Sequence, residues 1–241
     1  MATEQTHPQG GIAVLTEGLR KVYALGTDHP VEALRRVDME VKAGEFVSII
    51  GQSGSGKSTL LNMLGALDVP TEGIVKINGV DISQLDSNGL ARLRNESIGF
   101  VFQYHYLLPD FTCLENCLVP LMIKYGTAPK KEVERVKSLL AQVGLKDQLR
   151  KRPSEMSGGQ QQRAALIRAL ANRPSLALAD EPTGNLDART GEEVFQLLRT
   201  IIKETGVAFI MVTHDERLAK SADRILKIED GGISQVSADR L

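Results

Sequence analysis

The stretch "EFVSIIGQSGSGKSTLLNMLGAL", Glu45 to Leu67, restricts this chain to a small set of folds. An apolar run ending in glycine reads as a buried strand feeding a loop, and "LLNMLGAL" reads as the helix that receives it. Between them Gly51, Gly56, Lys57 and Ser58 satisfy G-x-x-x-x-G-K-[ST], in the strand-before, helix-after setting that gives the pattern its meaning. Gly54 and Gly56 let the backbone curl so that N–H groups point inward at an anion, and Gln52, Ser53, Ser55 and Thr59 fill out the loop. Lys57 supplies a point charge for the outer phosphates of a nucleotide, and Ser58 an oxygen for Mg2+. The pattern speaks for a nucleotide and is silent on the activity.

The remaining chain says what surrounds that loop. "IAVLTEGLRKVY" and "LRRVDMEVKAGE" read as antiparallel strands, "EGIVKINGVDI" carries an Asn78-Gly79 hairpin turn, and "IGFVFQ" is a further strand. From Tyr104 to Arg150 the texture becomes helical. There "KKEVERVKSLLAQVG" sets Val133, Val136, Leu139, Leu140 and Val143 on one stripe and stops at Gly144. Strand and helix then alternate through "SLALAD", "TGEEVFQLLRTIIKETG" and "VAFIMVTHD", and "RILKIEDGGI" reads as a closing hairpin. The middle segment offers a capping box from Thr190 to Glu193 and an apolar face of Val194, Leu197, Leu198, Ile201 and Ile202. The alternation predicts an α/β core with a parallel sheet. Residues 1–11 read as a flexible polar arm and 12–241 as one domain. Its core takes 12–103 and 161–241, with 104–160 as an inserted helical subdomain.

Composition removes several classes. The 241 residues carry a net charge of −1, which gives no field for nucleic acid, and none is expected as a partner. The N-terminal "MATEQTHPQGG" lacks the apolar segment of a signal peptide. Runs such as "VAFIMV" and "LALA" fall far short of the roughly 20 residues that span a bilayer. Cys113 and Cys117 read as two half-buried apolar residues on one helix face, not as a metal set or a disulfide, and suit a reducing cytosol.

The acids come next. "SLALADEP" ends a buried strand in Asp180 and Glu181, at the carboxyl edge where parallel α/β sheets bind ligands. Adjacent carboxylates repel, so a cation or a proton is expected between them, and strand alternation assigns them different tasks. Asp180 would face Mg2+, directly or through water, while Glu181 would reach the terminal phosphate and deprotonate a water. His214, in "VTHDE", ends another strand at the same edge. Alone it is more often structural, but beside a transferring phosphoryl group it is a hydrogen-bond donor. Gln103 ends "FVFQ", where its amide oxygen can ligate Mg2+ or hold the attacking water. Tyr23 either stacks on a purine ring or packs as a strand-end tyrosine.

A second anion-binding helix start, "MSGGQQQR", runs from Met156 to Arg163 and offers Ser157, Gly158, Gly159 and Gln160. The phosphate loop surrounds one side of a triphosphate and leaves the other open. A second copy of the chain can present this segment in trans, so that a two-fold dimer sandwiches two nucleotides.

In order, Tyr23, "GQSGSGKST", Gln103, "MSGGQ", "LALADE", "GNLD" and "VTHD" resemble the nucleotide-binding domain of ATP-binding-cassette proteins over nearly the whole chain. Met156 stands where leucine is commoner, a volume-conserving change. The resemblance implies a P-loop NTPase of that type, with a mixed, mainly parallel core, an N-terminal antiparallel β subdomain and the helical insertion. It implies ATP and Mg2+ as ligands, a stacking Tyr23, a coupling Gln103, a signature loop at Ser157 to Gln160, a catalytic Glu181, a dimer-communication loop around Asp187 and a switch His214.

"GFVFQYHYLLPDFTCLENCLVPLMI" and "ADEPTGNLDA" resemble in particular the ATPases of bacterial lipoprotein-releasing transporters, in a clade shared with macrolide-exporter and cell-division ATPases. Such an ATPase sits peripherally on the cytoplasmic face of the inner membrane. It powers a separate permease with a large periplasmic domain, and in the cell-division case it signals and transports nothing. Tyr104, Tyr106, Leu107, Leu108 and Phe111 would then offer an apolar cleft to a helix of the permease, or pack in the subdomain core.

Overall fold

A computed structural model describes residues 11–26, 29–184 and 186–240. The expected arm at residues 1–11 therefore lies almost wholly outside the described residues, as does Asn185 of "GNLD".

The N-terminal half begins with β1 (Ile12–Tyr23) and β2 (Val31–Lys42), antiparallel as expected. β3 (Phe46–Ile50) is buried at every position and runs through the phosphate loop into α1 (Lys57–Leu64). That helix ends at Leu64, three residues short of the expected end at Leu67, because Ala66 turns into a left-handed conformation (φ 51°). β4 (Glu72–Ile77) and β5 (Val80–Asp81) flank the predicted hairpin, with Asn78 and Gly79 both at positive φ (50° and 77°), the geometry a two-residue turn requires. α2 (Ser87–Ser97) then leads into β6 (Ile98–Phe102).

The helical stretch is shorter than its texture suggested. Residues 104–112 form no regular element, and α3 (Cys113–Tyr125) starts only at a capping box between Thr112 and Glu115. α4 (Lys130–Gln142) buries Val136 and Leu140, and Gly144 follows at φ 72°. α5 (Gly158–Ala169), β7 (Leu176–Asp180), α6 (Ala188–Thr205), β8 (Ala208–Val212) and the short α7 (Glu216–Ala219) come next. β9 (Arg224–Glu229) and β10 (Gly232–Val236) form the closing hairpin. α6 begins one turn earlier than the Thr190 capping box predicts. Asp187 caps it instead, its carboxylate accepting from the Thr190 N–H at 3.0 Å. Val194, Leu198, Ile201 and Ile202 are buried on its inner face, and Leu197 is half-buried beside them.

The strands form two sheets, ordered β2-β1-β4-β5 and β10-β9-β3-β8-β7-β6. The second is parallel except for β10, which agrees with the mixed core expected. Its alternation divides the interior in two. Leu176 and Leu178 of β7, with Ala208, Ile210 and Val212 of β8, face α1 and the antiparallel sheet. Ala177 and Ala179, with Phe209 and Met211, face α3, α4, α5 and α6. Small residues on that second face let helices come close. A Cβ on Gly99 of β6 would lie 2.4 Å from the carbonyl oxygen of Ala169, at the end of α5. Cys113 and Cys117 are fully buried here rather than half-buried, the Cys117 thiol donating to the Ala164 carbonyl. Among the described residues no helix is long and apolar enough to cross a membrane.

Candidate functional site

Because β3, β8, β7 and β6 are parallel neighbours, their carboxyl ends share one edge of the sheet. The register is level: Phe102 pairs with Asp180 and Asp180 with Val212, while the Thr213 N–H bonds the Ile49 carbonyl. The residues that follow each strand are the phosphate loop, Thr213 and His214, Glu181, and Gln103, which places them in one row.

At the loop, glycine is enforced by close backbone neighbours. A Cβ on Gly51 would stand 2.4 Å from the Ile228 carbonyl oxygen, and one on Gly56 (φ 109°) 2.5 Å from that of Ala33. Gly56 caps α1 without any side-chain hydrogen bond, so the first N–H groups of the helix keep their donors for a ligand. Lys57 Nζ donates to the Gly51 and Gln52 carbonyls at 2.8 and 2.6 Å, which holds its charge over the loop. The Ser55 hydroxyl is buried there without a hydrogen-bond partner. Gln52, Ser53, Gly54 and Ser58 are exposed, and Thr59 is half-buried.

Asp180 is half-buried. Burial pushes its carboxyl above the usual range, Glu181 pushes it the same way, and Lys57 pulls it down. Asp180 and Ser58 line one small cleft of about 40 Å³. The Ser58 hydroxyl and the Asp180 carboxylate are oxygen donors on one cleft, and Gln103 follows the adjacent strand with an amide oxygen it could add. That set fits Mg2+, which keeps waters and substrate phosphates as its other ligands.

Strand alternation does not separate the two acids. β7 ends at Asp180, and Glu181 leaves the strand in a left-handed conformation (φ 45°), its N–H held by the Val212 carbonyl at 2.9 Å. Glu181 Oε1 accepts from His214 Nδ1 at 2.8 Å, the imidazole being mostly exposed and the carboxylate mostly covered (72% and 22%). Buried Thr213 fixes that turn, its hydroxyl accepting from the Asp215 N–H at 3.0 Å. A Cβ on Gly184 would meet Gln103 Nε2 at 3.0 Å and Glu181 Oε2 at 3.3 Å, so these two side chains converge on Gly184. A cleft of about 280 Å³ runs past Glu181 and His214 to Asp187 and Arg217. Arg217, ion-paired to Asp215 at 2.9 Å, carried no sequence signal beyond its nearness to His214.

The second helix start has its own supports. Ser157 caps α5 in a reciprocal box with Gln160. A Cβ on Gly159 would lie 2.4 Å from Thr190 Cγ2, and one on Gly158 3.6 Å from Leu186 Cδ2. The signature segment therefore leans on the start of α6, whereas the phosphate loop leans on Ala33, Leu34 and Ile228. Tyr23 ends β1 opposite Val31, two residues from Ala33 on β2, whose carbonyl oxygen faces Gly56.

Beyond Gln103, the segment 104–112 is held from within. Arg168 of α5 donates to the carbonyls of His105 (2.7 Å) and Tyr106 (2.6 Å), and Gln162 bonds the His105 ring. Asn116 of α3 bonds both backbone groups of Leu108. Tyr104, Tyr106 and Leu108 are exposed, whereas Phe111 and Leu107 are half-buried and Leu107 packs against the helical core cluster.

A model of the ABC transporter family matches residues 34–184. The chain belongs to the ABC transporter family. It is the ATP-binding, ATP-hydrolysing domain of such a transporter. It is 52% identical over 218 residues, 90% of each chain, to the lipoprotein-releasing system ATP-binding protein LolD of Anaeromyxobacter dehalogenans (strain 2CP-C). The LolD of Legionella pneumophila (strain Lens) is 45% identical over 222 residues, 92% of this chain and 97% of its own. Among solved structures, the dimeric post-hydrolysis state of the ATP-binding cassette MJ0796, bound to ADP and Pi, matches with a TM-score of 0.83. That match has 42% identity and covers 93% of this chain and 98% of that ABC cassette.

Proposed function

We propose that this ATPase drives a separate permease that releases lipoproteins from the bacterial inner membrane, working from its cytoplasmic face. The observation that carries the chemistry is the convergence of Glu181, His214 and Gln103 in one row with the phosphate loop. The cargo is taken from the LolD relatives, which match about nine-tenths of this chain.

In this reading the loop from Gly51 to Thr59 wraps the phosphates of ATP with its N–H groups, and Lys57 turns from the loop carbonyls to the outer phosphates. Ser58, Asp180 and Gln103 would hold Mg2+, which neutralises developing phosphate charge when bound. Glu181 Oε1 is occupied by His214, so Oε2, which faces Gly184 and Gln103, takes the proton of the attacking water. His214 keeps Glu181 in place through Nδ1–H, and with a second proton on Nε2 it donates that N–H to the terminal phosphate. Ser157, Gly158, Gly159 and Gln160 of a second copy close the open side of that phosphate. Residues 104–160 act as the helical unit that meets the permease, whose large periplasmic domain completes the transporter. ATP binding draws two copies together, and hydrolysis lets them part.

The test is an ATP-dependent pull-down of the Glu181→Gln protein from detergent-solubilised native membranes, with the captured proteins identified. A permease with a large periplasmic domain and lipoprotein cargo supports the reading. A cell-division or macrolide-exporter permease redirects it, and no membrane protein at all ends it.

A further inference from the structure

The end of β1 carries a closed polar triad around Tyr23. Lys21 Nζ stands 4.9 Å from the centroid of the Tyr23 ring, against one of its faces. The same ammonium is ion-paired with Asp68 Oδ1 at 2.8 Å and donates to the Val69 carbonyl at 2.8 Å. The Tyr23 hydroxyl closes the triad on Asp68 Oδ2 at 3.2 Å. Lys21 is nearly inaccessible (9%), whereas Tyr23 keeps 38% of its surface. Burial alone would push the Asp68 carboxyl up, yet Lys21, the Val69 N–H and the Tyr23 hydroxyl hold it below the usual range.

The triad also joins the two elements that any nucleotide at this site must bridge. Asp68 and Val69 follow α1, the helix that the phosphate loop starts. The connection back to β1 is fixed twice more, by the Val22 N–H to Thr71 Oγ1 (3.0 Å) and the Thr71 N–H to the Arg20 carbonyl (2.9 Å). At the other end of α1, Gly56 abuts Ala33 on the partner strand β2. The ribbon that carries Tyr23 is thereby clamped to both ends of the phosphate-binding helix.

We infer that Lys21 and Asp68 are positioning residues for nucleotide-base recognition: they fix the plane of Tyr23, block one face and leave the other for a purine. This rests on the proposal that Tyr23 stacks on the base. An ammonium behind the ring adds a cation–π contact, and locking the side chain removes rotamer freedom that the ligand would otherwise have to freeze.

The experiment compares affinities for ADP and for inorganic pyrophosphate, by competition, in the whole chain and in Lys21→Met, Lys21→Arg, Asp68→Asn and Tyr23→Ala. Thermal melts establish that each variant is folded. Lys21→Met and Asp68→Asn are expected to weaken ADP about three- to tenfold with little change for pyrophosphate, and Lys21→Arg, which keeps the cation, to restore most of the loss. Equal weakening of both ligands, or no weakening of ADP, would make the triad a structural staple and overturn the inference. If Tyr23→Ala leaves the ADP-to-pyrophosphate ratio unchanged, the stacking premise fails and the inference with it, while phosphate binding by the loop stands.

Discussion

His214 Nδ1 donates to Glu181 Oε1 across 2.8 Å, and the carboxylate so held is the one that departs from its strand at positive φ. The hydrogen bond gives the two oxygens of Glu181 different surroundings. Glu181→Gln keeps the shape and removes the proton acceptor. ATP turnover is expected to fall by about a hundredfold or more with nucleotide binding retained, and His214→Ala to lose about tenfold to a hundredfold. Single-turnover hydrolysis beside equilibrium ATP binding separates the two effects; wild-type turnover in Glu181→Gln would remove Glu181 from the chemistry.

Asp180 gives a stability prediction of unusual sign. Its carboxyl is raised in the folded chain by burial and by Glu181, so the unfolded chain releases that proton more readily. The contribution to stability is therefore favourable below the ordinary carboxylate range and is lost as pH rises through the raised value. At neutral pH, Asp180→Asn should melt higher, by about 2–4 °C, while abolishing Mg2+-dependent hydrolysis. A lower melting temperature would mean that Asp180 is already neutralised by Lys57.

His105 predicts the acid limb. Burial pushes its imidazole below the usual range, Arg168 pushes the same way, and Gln162 pulls it up. A histidine kept neutral in the fold contributes its full stability above the unfolded value, near 6.5, and loses it as pH falls below. Melts at decreasing pH should fall more steeply for the native chain than for His105→Asn. Parallel curves would show that His105 is not the group responsible.

Gly159 and Thr190 form a separable pair. Gly159→Ala drives a methyl to 2.4 Å from Thr190 Cγ2, at an expected cost of about 1–3 kcal/mol, and Thr190→Ser, which lacks that methyl, should recover most of it in the double variant. Gly158→Ala meets Leu186 at an ordinary 3.6 Å and should leave the melt unchanged. Its effect is expected in ATP-driven dimerisation alone, read by light scattering. Additive losses in the Gly159→Ala, Thr190→Ser double variant would show that the two residues do not clash.

Arg168 tests how segment 104–106 is held. Removing its two hydrogen bonds in Arg168→Met should raise amide exchange there and lower permease-stimulated ATPase more than intrinsic ATPase. Equal loss of both activities would place the effect in folding.

Features written in local residues are legible in the sequence. Gly51 to Thr59 and both hairpin turns each obey a rule that spans a few positions. The start of α6 is not, because "LDARTGEE" holds two competent caps, Asp187 over Thr190 and Thr190 over Glu193. Local chemistry favours neither. In the fold, Thr190 lies inside the helix, where its methyl covers Gly159. The irregular run after Gln103 was equally hidden, since its backbone partners, Asn116 and Arg168, come from helices further along the chain. Alternation likewise predicted opposed acids at Asp180 and Glu181, but the strand ends between them.

α5 has one more consequence. It is 12 residues long, about 18 Å at 1.5 Å per residue, with its first turn wedged on Thr190 and its last carbonyls on Gly99, four residues before Gln103. Neither end leaves room for a side chain at its glycine, since a Cβ there would come within 2.4 Å of a neighbour. The two ends of the anion-binding helix are therefore seated directly on α6 and on β6, and the helix links the Ser157 segment to the strand that ends at Gln103. The closeness of that link depends on two glycines, and a methyl at either one would push the helix off its neighbour.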